Sequence, residues 1–250
     1  RISGNSAILE NSTGSTPEYL YTNGGYRPPV NEDGTLSRNN DNTFTFVDVD
    51  GRIYIFDANG NLTSLTTTAD DRPPAALKYE YAGDPSRLMK IEDGVTNARY
   101  ATVYYKGIND VNGICDPGNA PNAPSIFFGL FAQFDQAPNG MLCAFGTSDD
   151  NVTNLYYKNG YLARVVQPGS QITDYAYDAL GRITTIREPL VSDAIGAGVR
   201  SDDDSVTTQL SYDILGRISS VKLPSPNSGA NRPEHTIDYG INKTELHITG

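Results

Sequence analysis

The sequence predicts an all-β fold, an extended antiparallel sheet built from successive hairpins. Three observations lead there. A tyrosine-led, glycine-punctuated unit recurs: Tyr175-Ala-Tyr177-Asp178-Ala-Leu-Gly181-Arg182-Ile183-Thr-Thr-Ile186 is matched by Tyr212-Asp213-Ile-Leu-Gly216-Arg217-Ile218-Ser-Ser-Val221. Sixteen tyrosines stand against eight phenylalanines and no tryptophan, a bias that suits half-buried sheet surfaces better than a compact oily core. No segment carries the apolar spacing of a long amphipathic helix.

Residues 1–42, rich in Asn, Gly, Ser and Thr and broken at Arg27-Pro28-Pro29, read as an irregular or short-stranded entry segment. Residues 43–250 read as the hairpin sheet, interrupted by a Pro/Asn-rich insertion at 108–140. Strands are expected over Phe44 to Val49, Arg52 to Phe56, Asn61 to Thr66, Leu77 to Tyr81, Leu88 to Ile91 and Arg99 to Tyr105, resuming near Val152 and running to Val221. Asp50-Gly51-Arg52 to Leu62 holds two turns in succession, with Phe56 in the tyrosine position. Tyr79 to Ile91 and Tyr156 to Val165 are weaker copies. Ile126 to Phe134 is too short to span a membrane and is expected as a buried strand or core wall. The loop between the two strong copies has room for one short helix after Ser192, limited by its glycines. His235 to Tyr239 and Glu245 to Thr249 read as a last hairpin or half of one.

Within each unit, period two places Tyr175 and Tyr177 on one strand face. Asp178 and Asp213 stand where they would accept hydrogen bonds from turn amides, and Gly181 and Gly216 supply the positive φ of a bulged hairpin loop. Arg182 and Arg217 are expected to reach a carboxylate or carbonyl of the neighbouring hairpin. Ile183 and Ile186 differ in parity, so either a bulge shifts the register or one isoleucine is partly exposed.

These residues resemble the YD repeats, also called RHS repeats, of bacterial Rhs and Tc toxins, wall-associated bacterial proteins and teneurins. Tyr177 to Ile183 and Tyr212 to Ile218 fit the pattern Tyr-Asp, two variable residues, Gly-Arg-Leu, with isoleucine in the leucine position. The resemblance covers most of residues 42 to 223, with a gap around 108 to 140. It implies a segment of a spiral β-shell that encloses a toxic carboxyl-terminal domain or supports a surface receptor. The chain opens without methionine and is expected to be an excised segment of a longer protein. Its expected partners are the remainder of that polypeptide, an enclosed carboxyl-terminal domain or a surface glycan or protein, and, through exposed strand edges, a second copy.

A formal charge of −11 argues against nucleic acid or an acidic membrane as partner. No apolar run reaches spanning length, so membrane insertion is not expected. Cys115 and Cys143 flank the insertion; a disulfide there would close a loop of about 28 residues and contribute roughly 3.5 kcal/mol, with two separate buried thiols as the alternative. A bridge would agree with a secreted or cell-surface location.

Catalytic materials are sparse. His235 and His247 are the two histidines, and no Gly-x-Ser-x-Gly elbow or phosphate cradle is present. Asp48, Asp50, Asp57, Asp178 and Asp213 fall mostly in turns, where a structural duty accounts for them. Asp48-Val-Asp50-Gly51 lacks the rest of a calcium loop, and Asp202, Asp203 and Asp204 read as a solvated run. No cofactor or metal is expected. The leading functional expectation is a non-catalytic structural module of a shell or scaffold; the alternative is adhesion to glycan or protein through exposed tyrosines and acidic loops.

Overall fold

A computed structural model describes residues 1–11, 14–69, 76–121, 125–127 and 133–249. They form two compact units, Arg1–Val103 with Gly146–Asp150 and Tyr104–Phe145 with Asn151–Gly250. Strand order follows chain order within each unit, and the paired strands are antiparallel, so the architecture is all-β extended sheet.

The first unit opens on a small sheet of β1 (Ile2–Ser3), β2 (Ser6–Ile8), β3 (Glu18–Thr22) and β4 (Gly25–Arg27). A ladder follows: β5 (Thr35–Arg38), β6 (Phe44–Val47), β7 (Arg52–Phe56), β8 (Leu62–Thr67), β9 (Leu77–Ala82), β10 (Arg87–Glu92) and β11 (Tyr100–Tyr105). Strand β6 stops at Val47 because Asp48 already belongs to the turn, its N–H bonded to Arg52 O at 3.0 Å. The core of this unit gathers Ala7, Tyr19, Leu36 and Phe44, with Tyr26, Phe46 and Phe56 packed on it. Tyr19 meets Phe46 edge-on at 5.9 Å, a favourable aromatic geometry.

The second unit carries β12 (Leu142–Thr147), β13 (Val152–Lys158), β14 (Tyr161–Gln167), β15 (Gln171–Tyr177), β16 (Ile183–Arg187), β17 (Thr208–Tyr212), β18 (Ile218–Lys222), β19 (Glu234–Tyr239) and β20 (Thr244–Thr249). One helix, α1 (Pro189–Gly196), lies between β16 and β17. It begins before Ser192, earlier than the sequence suggested, because Pro189 occupies a position where its fixed φ suits a helix start. Gly198, at φ +69°, ends it: Gly198 N–H bonds Ile195 O and Val199 N–H bonds Ala194 O, the paired closure of a left-handed cap.

A bulge resolves the parity of Ile183 and Ile186. Tyr177 pairs with Ile183 while Tyr175 pairs with Ile186, so the extra residue lets both isoleucines follow tyrosines of one face. The same shift recurs at Tyr156/Tyr157, Ser211/Tyr212 and, in the first unit, Ile55/Phe56 and Leu88/Lys90.

Most of the segment Ile126 to Phe134 lies outside the described residues; of its ends, Ile126 is exposed and Phe134 is buried against Tyr156 and Ala163. Residues 122–124 of the insertion are likewise outside. Cys115 and Cys143 form a disulfide with Cα atoms 5.3 Å apart, inside a cluster with Ala137 and Tyr157. Replacing both cysteines by alanine should lower the unfolding free energy by about 3.5 kcal/mol on the chain-entropy account, measured by urea denaturation; an unchanged midpoint would show that the insertion is held by its other contacts.

Candidate structural joint between hairpins

The recurrent site is a joint assembled where one hairpin meets the next. It starts in the turn. Asp178 Oδ1 accepts from Leu180 N–H and Arg182 N–H, each at 2.9 Å, and Asp213 Oδ1 accepts from Leu215 and Arg217 N–H at the same distances. In the first unit Asp48 and Asp57 hold their turns through the corresponding amides, those of Asp50 and Arg52 and of Asn59 and Asn61. The carboxylate thus satisfies amides that a tight loop would otherwise leave unpaired. Gly181 sits at φ +78°, and a Cβ there would come within 2.6 Å of the Tyr161 hydroxyl, so both backbone and space require glycine.

The arginine has two contacts. Arg182 Nε and Arg217 Nε each donate to the other oxygen, Oδ2, of their own turn's aspartate, both at 2.7 Å. Their guanidinium carbons also lie over the ring of the next hairpin's tyrosine, Arg182 at 4.4 Å from the Tyr212 centroid and Arg217 at 4.1 Å from Tyr239. The carboxylate partner is therefore internal to the turn, and the neighbouring hairpin contributes an aromatic face instead. These partly exposed pairs are individually weak; their value lies in register.

The tyrosine closes the joint. Tyr177 OH donates to Leu162 O at 2.7 Å, Tyr212 OH to Ile183 O at 2.7 Å, Tyr239 OH to Ile218 O at 2.9 Å and Tyr157 OH to Leu142 O at 2.5 Å. Each acceptor stands two residues after a left-handed glycine: Gly160, Gly181, Gly216 and Gly140. In the first unit Tyr81 meets the backbone of Leu62, two residues after Gly60. Gly140-Met141-Leu142 is a copy of the acceptor half that sequence reasoning missed, because no Tyr-Asp precedes it. Burial raises the Tyr157 and Tyr177 hydroxyls above the ordinary tyrosine range, which keeps them as donors.

On the other face of β15 lies a second feature absent from the sequence reading. Arg164, Asp174 and Arg187 form a cross-strand row on β14, β15 and β16, each with no solvent exposure. Arg164 Nε and an Nη bond the Asp174 carboxylate at 2.6 and 3.1 Å, and Arg187 bonds its Oδ2. The row anchors two loops: Arg164 reaches Pro121 O at 2.9 Å and Arg187 reaches Asp202 Oδ1 at 3.1 Å. Asp202 is thereby spoken for, and Asp203 caps the turn at Ser205 N–H, 2.8 Å away.

Among the described residues no group of three or more His, Cys, Asp or Glu is placed to hold a metal. His247 lies 3.3 Å from Asp238 on an exposed strand pair, while His235 pairs across strands with Val221 and Ile248. Asp48, Asp57, Asp178 and Asp213 are engaged in their own turns and Asp202 with Arg187, so no catalytic constellation is assembled among these residues.

Residues 156–190 match the family model of the RHS repeat. Among solved structures, a Photorhabdus luminescens Tc holotoxin pore carrying TccC3-D651A is similar over 97% of this chain at 12% identity and a TM-score of 0.32. A TcdB2-TccC3 structure is similar over 97% at 14% identity and a TM-score of 0.34. The chain spans 14% and 13% of the lengths of those two chains. No curated protein matches the sequence.

Tyr177→Phe should lose about 1 kcal/mol, the net worth of the hydroxyl bond, and Tyr177→Ala about 3 kcal/mol or more, compared by thermal and urea unfolding; equal, negligible losses would remove Tyr177 from the joint. Asp174→Asn should cost about 3 kcal/mol by stranding two buried guanidinium groups, read in the same assay. The Arg182 N–H, acting first, with the guanidinium holds the Asp178 carboxyl below its usual range; at Asp213 partial burial opposes the shift, and the Arg217 and Leu215 contacts outweigh it. A carboxylate so depressed stabilises the fold above its unfolded pKa and ceases to do so as pH falls. Melting temperature should therefore drop below about pH 4, and Asp178→Asn should flatten part of that drop.

Proposed function

We propose that this chain, whose residues 156–190 match the RHS-repeat model, is a non-catalytic section of a shell or scaffold wall within a longer secreted or cell-surface polypeptide. The observation that carries this reading is the repeated joint. At successive hairpins the tyrosine, aspartate, glycine and arginine are all consumed in fixing one hairpin to the next, and little polar chemistry is left over for turnover. A wall built this way extends by adding units, since each joint needs only its immediate neighbour. The disulfide suits an oxidising compartment. The proposed partners are the flanking parts of the same polypeptide, which such a wall would enclose or display.

A second reading, adhesion through exposed tyrosines, is favoured at one place, the cavity beside Tyr161, where the joint departs from its pattern. Electron microscopy of the natural polypeptide that contains this sequence discriminates the two. Wall formation predicts these hairpins within a continuous shell, with the segments it surrounds protected from added protease. A separately projecting domain with no enclosed segment would overturn the enclosure role and leave adhesion.

A further inference from the structure

The hairpin joining β13 and β14 pairs Lys158 with Tyr161 and closes through Asn159 and Gly160 alone, so it lacks the aspartate and arginine that clamp its successors. Tyr161 stands where they have arginine. It stacks on Tyr177 of the next hairpin, with ring centroids 5.0 Å apart and planes 23° from parallel. Both rings are held in place: the Tyr177 hydroxyl donates to Leu162 O at 2.7 Å, and Tyr161 lies over Gly181, where a Cβ would come within 2.6 Å of its hydroxyl. At this joint a phenol on a phenol replaces a guanidinium on a phenol.

That exchange changes the chemistry open to the joint. A phenol that loses one electron and one proton becomes a phenoxyl radical, with its unpaired spin on the oxygen and on the ring carbons ortho and para to it, in orbitals perpendicular to the ring. Near-parallel rings aim those orbitals at one another. The para carbon carries Cβ, so bond formation falls to the ortho carbons, Cε. Tyr161 is 43% exposed, and it lines with Tyr177 a cavity of about 670 Å³, so a small oxidant reaches both rings. Competing groups are few: the sequence has no tryptophan, both cysteines are in the disulfide, and Met89, one of the two methionines, is buried.

We infer that Tyr161 and Tyr177 form an oxidative cross-linking site, coupled through their Cε carbons to a dityrosine by hydrogen peroxide and a haem peroxidase. Each phenol gives up one electron and one proton, and the two radicals join in a Cε–Cε bond. Each bonded carbon then loses its hydrogen as a proton while its phenol oxygen regains one, which restores both aromatic rings. The peroxide takes up the two electrons and two protons and leaves as two waters. The bond ties the first residue of β14 to the last of β15, and it is insensitive to pH and salt where the aspartate-arginine clamps are not. Tyr21 and Tyr26 supply an internal comparison: Tyr21 is similarly exposed and the centroids are 5.2 Å apart, but the planes meet at 66°, so the orbitals of one ring point past the other. The coupling itself is independent of the wall reading; its use as reinforcement rests on it.

The test treats the whole chain, at low protein concentration, with hydrogen peroxide and a haem peroxidase, and follows dityrosine fluorescence, intact mass and peptide mapping. The expected product is a single chain lighter by two hydrogen atoms, whose digest contains peptides joined at Tyr161 and Tyr177 in several-fold excess over any joined at Tyr21 and Tyr26. Tyr161→Phe keeps the stacked ring and should abolish that product; Tyr177→Phe should do the same, so a folding defect in one variant does not decide the matter. Links formed only between separate chains, a Tyr21–Tyr26 link made as readily, or the same peptide pair still joined in both phenylalanine variants would overturn the site. The cross-linked chain should also unfold at a higher urea midpoint, because the bond restricts the unfolded chain as a disulfide does. An unchanged midpoint would remove the reinforcing role, a result separate from the electron microscopy that decides whether the hairpins form a wall.

Discussion

The fold rests on how the chain satisfies its backbone where a hairpin spreads open. Beside Gly160, Gly181 and Gly216 a bulge breaks the regular ladder, and there, as beside Gly140, the carbonyl two residues on is met by a tyrosine hydroxyl from the next strand. Leu142, Leu162, Ile183 and Ile218 are all served in this way. A phenol is suited to the task because its ring covers apolar surface while its oxygen reaches past the ladder's end. Phenylalanine could do only the first half, and serine only the second. Tyr81, Tyr157, Tyr177, Tyr212 and Tyr239 all serve that geometry.

Aspartate and arginine make the same joint directional. The carboxylate organises its own loop, and the guanidinium, oriented by that carboxylate, presents a flat cation to the ring that arrives next. Each hairpin therefore prepares the landing place of its successor, and consecutive strands find their register locally. Each contact joins a hairpin to the one that follows it in the chain, so the sheet does not depend on pairings between distant hairpins.

Much of this architecture was legible in the sequence, for reasons that can be named. Glycine at 181 and 216, aspartate three residues earlier and β-branched residues after are local signals, and hairpins are local structures. The bulge was the limit. Ile183 and Ile186 revealed that something shifted, but parity alone did not choose, and every cross-strand pair beyond the shift hangs on that choice. Without it Asp174 would face Ile186; with it Asp174 faces Arg187, and the buried charged row appears. Arg164 is set by the same rule at the preceding hairpin. The stacking of Arg182 on Tyr212 was hidden for another reason: the loop between them, with α1 inside it, separates two residues that the sheet makes neighbours.

That buried row gives the two long loops of the second unit an unusual status. Loops of this length generally tolerate trimming, because closure entropy changes slowly with length. Here the carbonyl of Pro121 and the carboxylate of Asp202 are the outer ligands of guanidinium groups sealed from water. Either excursion can vary in its course, yet its fastening atom has to return to the same spot. Shortening one past that atom would leave a buried guanidinium N–H without its acceptor, so variation in these loops is confined to their spans and does not extend to their moorings.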